Sequence, residues 1–176
     1  MDNFRKVPWL VDEAVEFLRT EIEKGNIETV LEFGSGASTL WLADRVDTIV
    51  SVEHDPGWYN KISTRIGTKS GADYRLRERP YNSVCDENLP VDKFDLVIID
   101  GKDRIECVKS SHDMVRKGGY LLVDNSDMDA PWSPEIFDFL KSWKRRTWVQ
   151  SGPDQEGHVA PDGIKWETTV FFKEKK

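Results

Sequence analysis

Cysteine is scarce. The chain has 2 in 176 residues, Cys85 and Cys107, which is too few for a disulfide framework and without metal-ligand spacing. Positive charge is also short, with 25 Lys and Arg against 32 Asp and Glu and a net charge of −7. That is the wrong balance for gripping a phosphate backbone, so no nucleic-acid partner is expected. The one basic cluster, Lys141 with Lys144-Arg145-Arg146, follows an apolar helical pattern and reads as a helix C-terminus, where cations are favoured. No apolar run approaches membrane-span length and no signal-peptide pattern is seen, so the expectation is a cytoplasmic protein with no membrane partner. Repeats, low-complexity tracts and linkers are absent too. Residues 1–176 read as one domain, long enough for a single core.

What the sequence does contain is a strand, a glycine turn and a helix in immediate succession at 30–39, Val-Leu-Glu-Phe-Gly-Ser-Gly-Ala-Ser-Thr. This geometry brings backbone amides and a helix N-terminus up to the polar end of a ligand. Gly34 and Gly36 leave no Cβ between backbone and ligand, while Ser38 and Thr39 can cap the helix or bond a carboxylate. A dinucleotide fold would place a third glycine where Thr39 stands. Thr48-Ile49-Val50-Ser51-Val52-Glu53 reads as the next strand. Its terminal carboxylate can accept a fork of hydrogen bonds from a ribose diol.

Glu32-Phe33-Gly34-Ser35-Gly36, with Glu53 ending the next strand, resembles the first motifs of class I S-adenosylmethionine-dependent methyltransferases. Val52-Glu53-His54-Asp55-Pro56 and Asp100-Gly101-Lys102-Asp103-Arg104 also resemble small bacterial methyltransferases of undefined substrate. The resemblance implies S-adenosylmethionine as cofactor. Glu32, Gly34, Ser35, Gly36, Ser38 and Thr39 would face its methionine part, Glu53 its ribose, and His54 and Asp100 would adjoin it.

The rest of the chain agrees with an α/β fold. Residues 7–24 read as a helix opening at Pro8, placed so that the segment 1–26 covers the cofactor cleft, with Trp9 as either a lid or a packing residue. A helix starts at Pro56. Phe94-Asp95-Leu96-Val97-Ile98-Ile99 reads as a central parallel strand covered on both faces. A helix over 105–115 is expected to close at Lys117-Gly118-Gly119, before strands near 120–123 and 148–149. Residues 77–93 read as loop. With Glu167–Phe172 as the last strand, the expected architecture is a Rossmann-like seven-stranded, mostly parallel sheet with an antiparallel last strand and helices on both faces.

Asp100 and Asp124-Asn125 end neighbouring strands, at the edge where open α/β sheets bind ligands. As hard oxygen ligands they suit Mg²⁺, which lowers the pKa of an acceptor hydroxyl. Asp100–Arg104 with Asp124-Asn125 also resembles segments of catechol-type O-methyltransferases. That resemblance implies Asp100, Asp124 and Asn125 as metal ligands and Lys102 as the base. Lys102 stands one residue nearer Asp100 than that family's lysine, and 126–132 matches no acceptor-binding pattern. The expected activity is methyl transfer to a small-molecule acceptor, at a hydroxyl oxygen, with Asp100, Lys102 and Asp124 at the chemistry. Two alternatives remain: a non-catalytic S-adenosylmethionine-binding or regulatory protein, and a nicotinamide-dependent oxidoreductase, which Glu53 would serve equally.

Overall fold

A computed structural model describes residues 4–69, 71–159, 163 and 165–175. Short runs rich in valine and isoleucine form strands wherever both faces can be covered. Here they are β1 (Thr29–Phe33), β2 (Thr48–Glu53), β3 (Ala72–Leu76), β4 (Phe94–Ile99), β5 (Val115–Asp124), β6 (Lys144–Gln150) and β7 (Trp166–Phe172). One sheet contains them in the order β3-β2-β1-β4-β5-β7-β6. All are parallel except β7, which runs antiparallel to both β5 and β6. The expected sheet is present. Its order reverses between β1 and β4, and at that switch point the strand ends open a crevice.

The helices are α1 (Asp12–Glu23), α2 (Ala37–Ala43), α3 (Pro56–Ile66), α4 (Arg104–Ser111) and α5 (Ser133–Phe139). Alternate strand residues feed two cores, as a period of two requires. Val30, Leu96, Ile98 and Leu122 pack with α1 and with Trp41 of α2. Leu31, Phe33, Val97, Ile99 and Leu121 pack with α4 and α5 on the other side. No helix among the described residues is long and apolar enough to cross a membrane.

Three expectations need correction. Helix α1 begins at Asp12, beyond Pro8, and buries Ala14, Val15 and Leu18 against the sheet. None of its residues lines the cavities described below; Phe4, Arg5 and Trp9 ahead of it do. The cations Lys144-Arg145-Arg146 open the edge strand β6 and do not end a helix. Exposed there, they blunt pairing with other chains. Gly118 and Gly119 lie inside β5, not at a helix end, where pairing with β4 shifts register. A Cβ on Gly119 would come within 2.7 Å of the Asp95 carbonyl oxygen, so only glycine lets the two strands approach there.

Candidate active site

The turn after β1 and the turn after β4 interlock backbone to backbone. Gly34 has φ of 93°, and a Cβ there would lie 2.7 Å from the Gly101 Cα. A Cβ on Gly101 would lie 1.8 Å from the Tyr81 hydroxyl oxygen. That hydroxyl accepts the Lys102 amide at 2.6 Å, and the Tyr81 ring packs edge-on against Phe33. Tyr81 belongs to a 3-10 turn, Tyr81–Asp86, inside the stretch expected to be loop.

Beneath the turn, Glu32 is wholly buried. Its carboxylate accepts hydrogen bonds from Ser38 Oγ, Thr39 Oγ1 and Ser51 Oγ, each at 2.5 Å. Thr39 Oγ1 also accepts the Gly36 amide at 2.9 Å, so the acid, the turn and the first turn of α2 are wired together. Burial raises the Glu32 pKa against these hydroxyls. Glu32 and Thr39, expected at the cofactor, sit buried behind the turn, and neither lines the two cavities that flank it.

Glu53 lies at the carboxyl end of β2. Its Oε1 accepts the His54 and Asp55 amides at 2.8 Å each. Its Oε2 accepts the Ser35 amide at 3.1 Å and the Ser35 hydroxyl at 2.9 Å. The Tyr74 hydroxyl stands 2.6 Å from the Ser35 hydroxyl, an alternative partner should a ligand hydroxyl take Glu53. Trp58 Nε1 donates to the Ser35 carbonyl at 2.7 Å and pins the turn from α3. The His54 ring leans on Tyr81, with centroids 5.5 Å apart.

Three cavities meet around Asp100. One of about 340 Å³ lies against Ser35, Gly36, Ala37 and Ser38, closed by Trp58, Lys61, Phe4, Arg5, Trp9 and His158. One of about 290 Å³ lies on the other side of the turn, against Gly34, Ser35, Glu53, His54 and Lys102. The third, about 130 Å³, is lined by Trp9, Trp166, Asp100, Asp124 and Asn125. Asp100 is a wall of all three.

Asp100 and Asp124 form the acidic floor of the third cavity. Burial, and then the neighbouring Asp124 carboxylate, lift Asp100 well above the usual carboxylate range. Burial likewise pushes Asp124 up to about 6, against a 2.6 Å hydrogen bond from Thr168 Oγ1 and the charge of Arg104. Two such groups share protons as a pair.

Arg104 is the residue the sequence did not single out. Its guanidinium donates to the Gly101 carbonyl at 2.9 Å, to the Asp124 carbonyl, and to Asn125 Oδ1 at 3.1 Å. It lies 3.5 Å from Asp100 Oδ1 and stacks over Trp132 at 4.8 Å.

Two expectations change here. Asp100, Asp124 and Asn125 do converge, but Arg104 takes the Asn125 oxygen and stands beside Asp100, while Thr168 takes Asp124. A guanidinium in the middle of the donor set does not fit a divalent cation, and no cluster of His, Cys, Asp and Glu suited to a metal occurs among the described residues. Lys102 is exposed and lines the Glu53 cavity, not the Asp124 one.

S-adenosylmethionine, by contrast, finds fitting residues. A Cβ on Gly36 would meet nothing nearer than the Trp58 ring at 4.0 Å, so this face of the turn is an open cradle. Arg5 Nε and Nη1 are buried without hydrogen-bond partners beside it. The two cavities flanking the turn lie in the size range of small-molecule sites.

No protein-family model and no curated protein matches the chain. Solved structures do. The O-methyltransferase TomG of Streptomyces achromogenes, involved in tomaymycin synthesis and solved with S-adenosylmethionine, is similar at TM-score 0.68 and 18% identity, over 90% of this chain and 78% of that one. The N-methyltransferase NodS of Bradyrhizobium japonicum, in complex with S-adenosyl-L-homocysteine, gives 0.67 and 14%, over 92% and 86%. An rRNA methylase of Streptococcus thermophilus gives 0.62 and 11%, over 89% and 95%. At these identities the likeness is one of fold. The chain has the Rossmann-like fold of the class I S-adenosylmethionine-dependent methyltransferases.

Proposed function

We propose that this protein is an S-adenosylmethionine-dependent methyltransferase acting on a hydroxyl oxygen of a small-molecule acceptor. The observation that carries the reading is Asp100, the common wall of two cavities around the glycine turn and of a smaller acid-floored cavity between two tryptophans. Cofactor and acceptor spaces then meet at one carboxylate.

Bound in the two flanking cavities, S-adenosylmethionine supplies an electrophilic methyl group. The chain must hold the acceptor in line and take up one proton. Asp100 and Asp124 suit that second task, because a carboxyl pair with a raised pKa is a stronger base than a free carboxylate. Trp9 and Trp166, edge to face at 6.4 Å, wall the reacting space from water. Arg104 holds the ends of β4 and β5 in register beneath the pair. The charged groups lining the third cavity are both acids, Asp100 and Asp124. This favours a small neutral or cationic acceptor over RNA or DNA, although an rRNA methylase shares the fold.

Calorimetry with S-adenosylhomocysteine and NAD⁺ tests the cofactor. Binding of the first and not the second is expected, and the reverse removes the proposal. Glu53→Gln should weaken S-adenosylhomocysteine by about 1.5–3 kcal/mol, the size of hydrogen bonds to a charged group. Methyl-transfer screening over phenols, sugars and amines then tests the acceptor; transfer confined to amines would overturn the hydroxyl assignment.

A further inference from the structure

Charged side chains stand around the 340 Å³ cavity. Arg5 and Lys61 stand on its walls together with the single acid Asp100. Arg5 is held from behind. Its Nη2 donates to Asp154 Oδ2 at 2.5 Å and to the Pro8 carbonyl at 3.3 Å. Its plane packs over Trp9 at 5.4 Å. Nε lies 3.7 Å from Glu156 Oε2, outside hydrogen-bond geometry, and both Nε and Nη1 are buried with no partner. Buried donors without partners are costly, and a guanidinium offers two parallel N–H groups that match a carboxylate. Lys61 adds a second cation from α3, its ammonium 4.5 Å from the Trp58 ring.

Resting on the methyltransferase reading, we propose that Arg5 and Lys61 form a clamp for the α-carboxylate of the cofactor's amino-acid end. Two cations around a cavity beside the glycine cradle complement a carboxylate. Arg5 lies on the strap ahead of α1, and the strap is fastened to the distant loop at 150–156 by Asp154, by Glu156 on the Lys6 amide, and by Gln150 on the Asp12 amide. The cofactor's charged end is thus read by a segment outside the α/β core.

The test compares two probes, S-adenosylhomocysteine and 5′-methylthioadenosine, which lacks the amino-acid end. Isothermal titration of Arg5→Met should show S-adenosylhomocysteine weakened by roughly 10- to 100-fold, as loss of charge-assisted hydrogen bonds implies, with methylthioadenosine changed less than about twofold. Lys61→Met, which leaves the strap intact, should shift the same ratio in the same direction. Arg5→Lys should recover part of it. Equal loss of both probes in Arg5→Met, with no ratio change in Lys61→Met, overturns the clamp and makes Arg5 a strap anchor only. Unchanged S-adenosylhomocysteine affinity in both variants overturns it outright. Wild-type protein that binds neither probe removes the methyltransferase reading and the clamp together.

Discussion

Two buried acidic sites sit at adjacent strand ends and do opposite things. Glu32, in β1, is ringed by Ser38, Thr39 and Ser51, and its charge is spent on hydroxyls inside the protein. Asp100 and Asp124, at the ends of β4 and β5, receive one hydroxyl, from Thr168, with Arg104 beside them and a cavity in front. Burial raises the pKa at both sites. A perturbed pKa alone therefore does not mark chemistry. What marks it is acceptor capacity left unspent and turned toward a space a ligand can enter.

The largest expected effect tests that contrast directly. Asp124→Asn should lower methyl-transfer turnover by roughly 10²–10⁴-fold, the usual range for a lost general base, with S-adenosylhomocysteine affinity retained. Turnover near wild type would return the pair to a positioning role. Glu32→Ala should do the reverse. Unpairing three buried hydroxyls should destabilise the fold by about 3 kcal/mol, or roughly 6–12 °C in melting temperature for a domain of this size. A melting temperature within 2 °C or so of wild type would show the hydroxyls finding other partners.

A smaller effect separates the sites by pH. Asp124 is raised in the fold, so the native state keeps a proton that the unfolded chain has released. Its contribution to stability is present below pH 4 or so and is lost as pH rises through about 6. Urea melts of wild type and Asp124→Asn should therefore diverge by roughly 3 kcal/mol between acid and neutral pH, the variant gaining relative stability as pH rises. Parallel curves would mean that the proton is not held there. The smallest expected effect is that of a chelator. With Arg104 among the oxygens, excess EDTA should leave turnover unchanged, whereas its loss and recovery with Mg²⁺ would show that Arg104 swings out to admit an ion.

The sequence made the sheet legible because its strands are short apolar runs closed by turn residues, and β4, buried along its whole length, ends in four consecutive apolar residues, Leu96 to Ile99, directly before Asp100. The glycine turn and Glu53 were legible because their spacing is local. Arg104 was not. Its role needs the ends of β4 and β5 side by side, 20 residues apart in the chain at the Asp124 carbonyl, and nothing in its local sequence distinguishes it from a helix-start cation. Arg5 was further out of reach, since its anchor Asp154 is separated from it by 149 positions. Lys102 shares the Glu53 cavity with Asp100 and is absent from the Asp124 cavity, a division that sequence proximity to Asp100 does not reveal. The glycine pair at 118–119 has the signature of a helix end, and only the pairing shift between β4 and β5 explains it.

One feature of the sheet governs how the protein is made. β7 is inserted between β5 and β6, so the two earlier strands have no contact ladder until a later one has been synthesised and threaded between them. Until Trp166–Phe172 emerges, β6 hangs as an unpaired cationic ribbon, and the outer edge of β5 stays open to any strand nearby. A nonsense mutation upstream of β7 would therefore forfeit two strands and leave a sticky edge, so even a late truncation should yield insoluble protein and not a shortened folded chain.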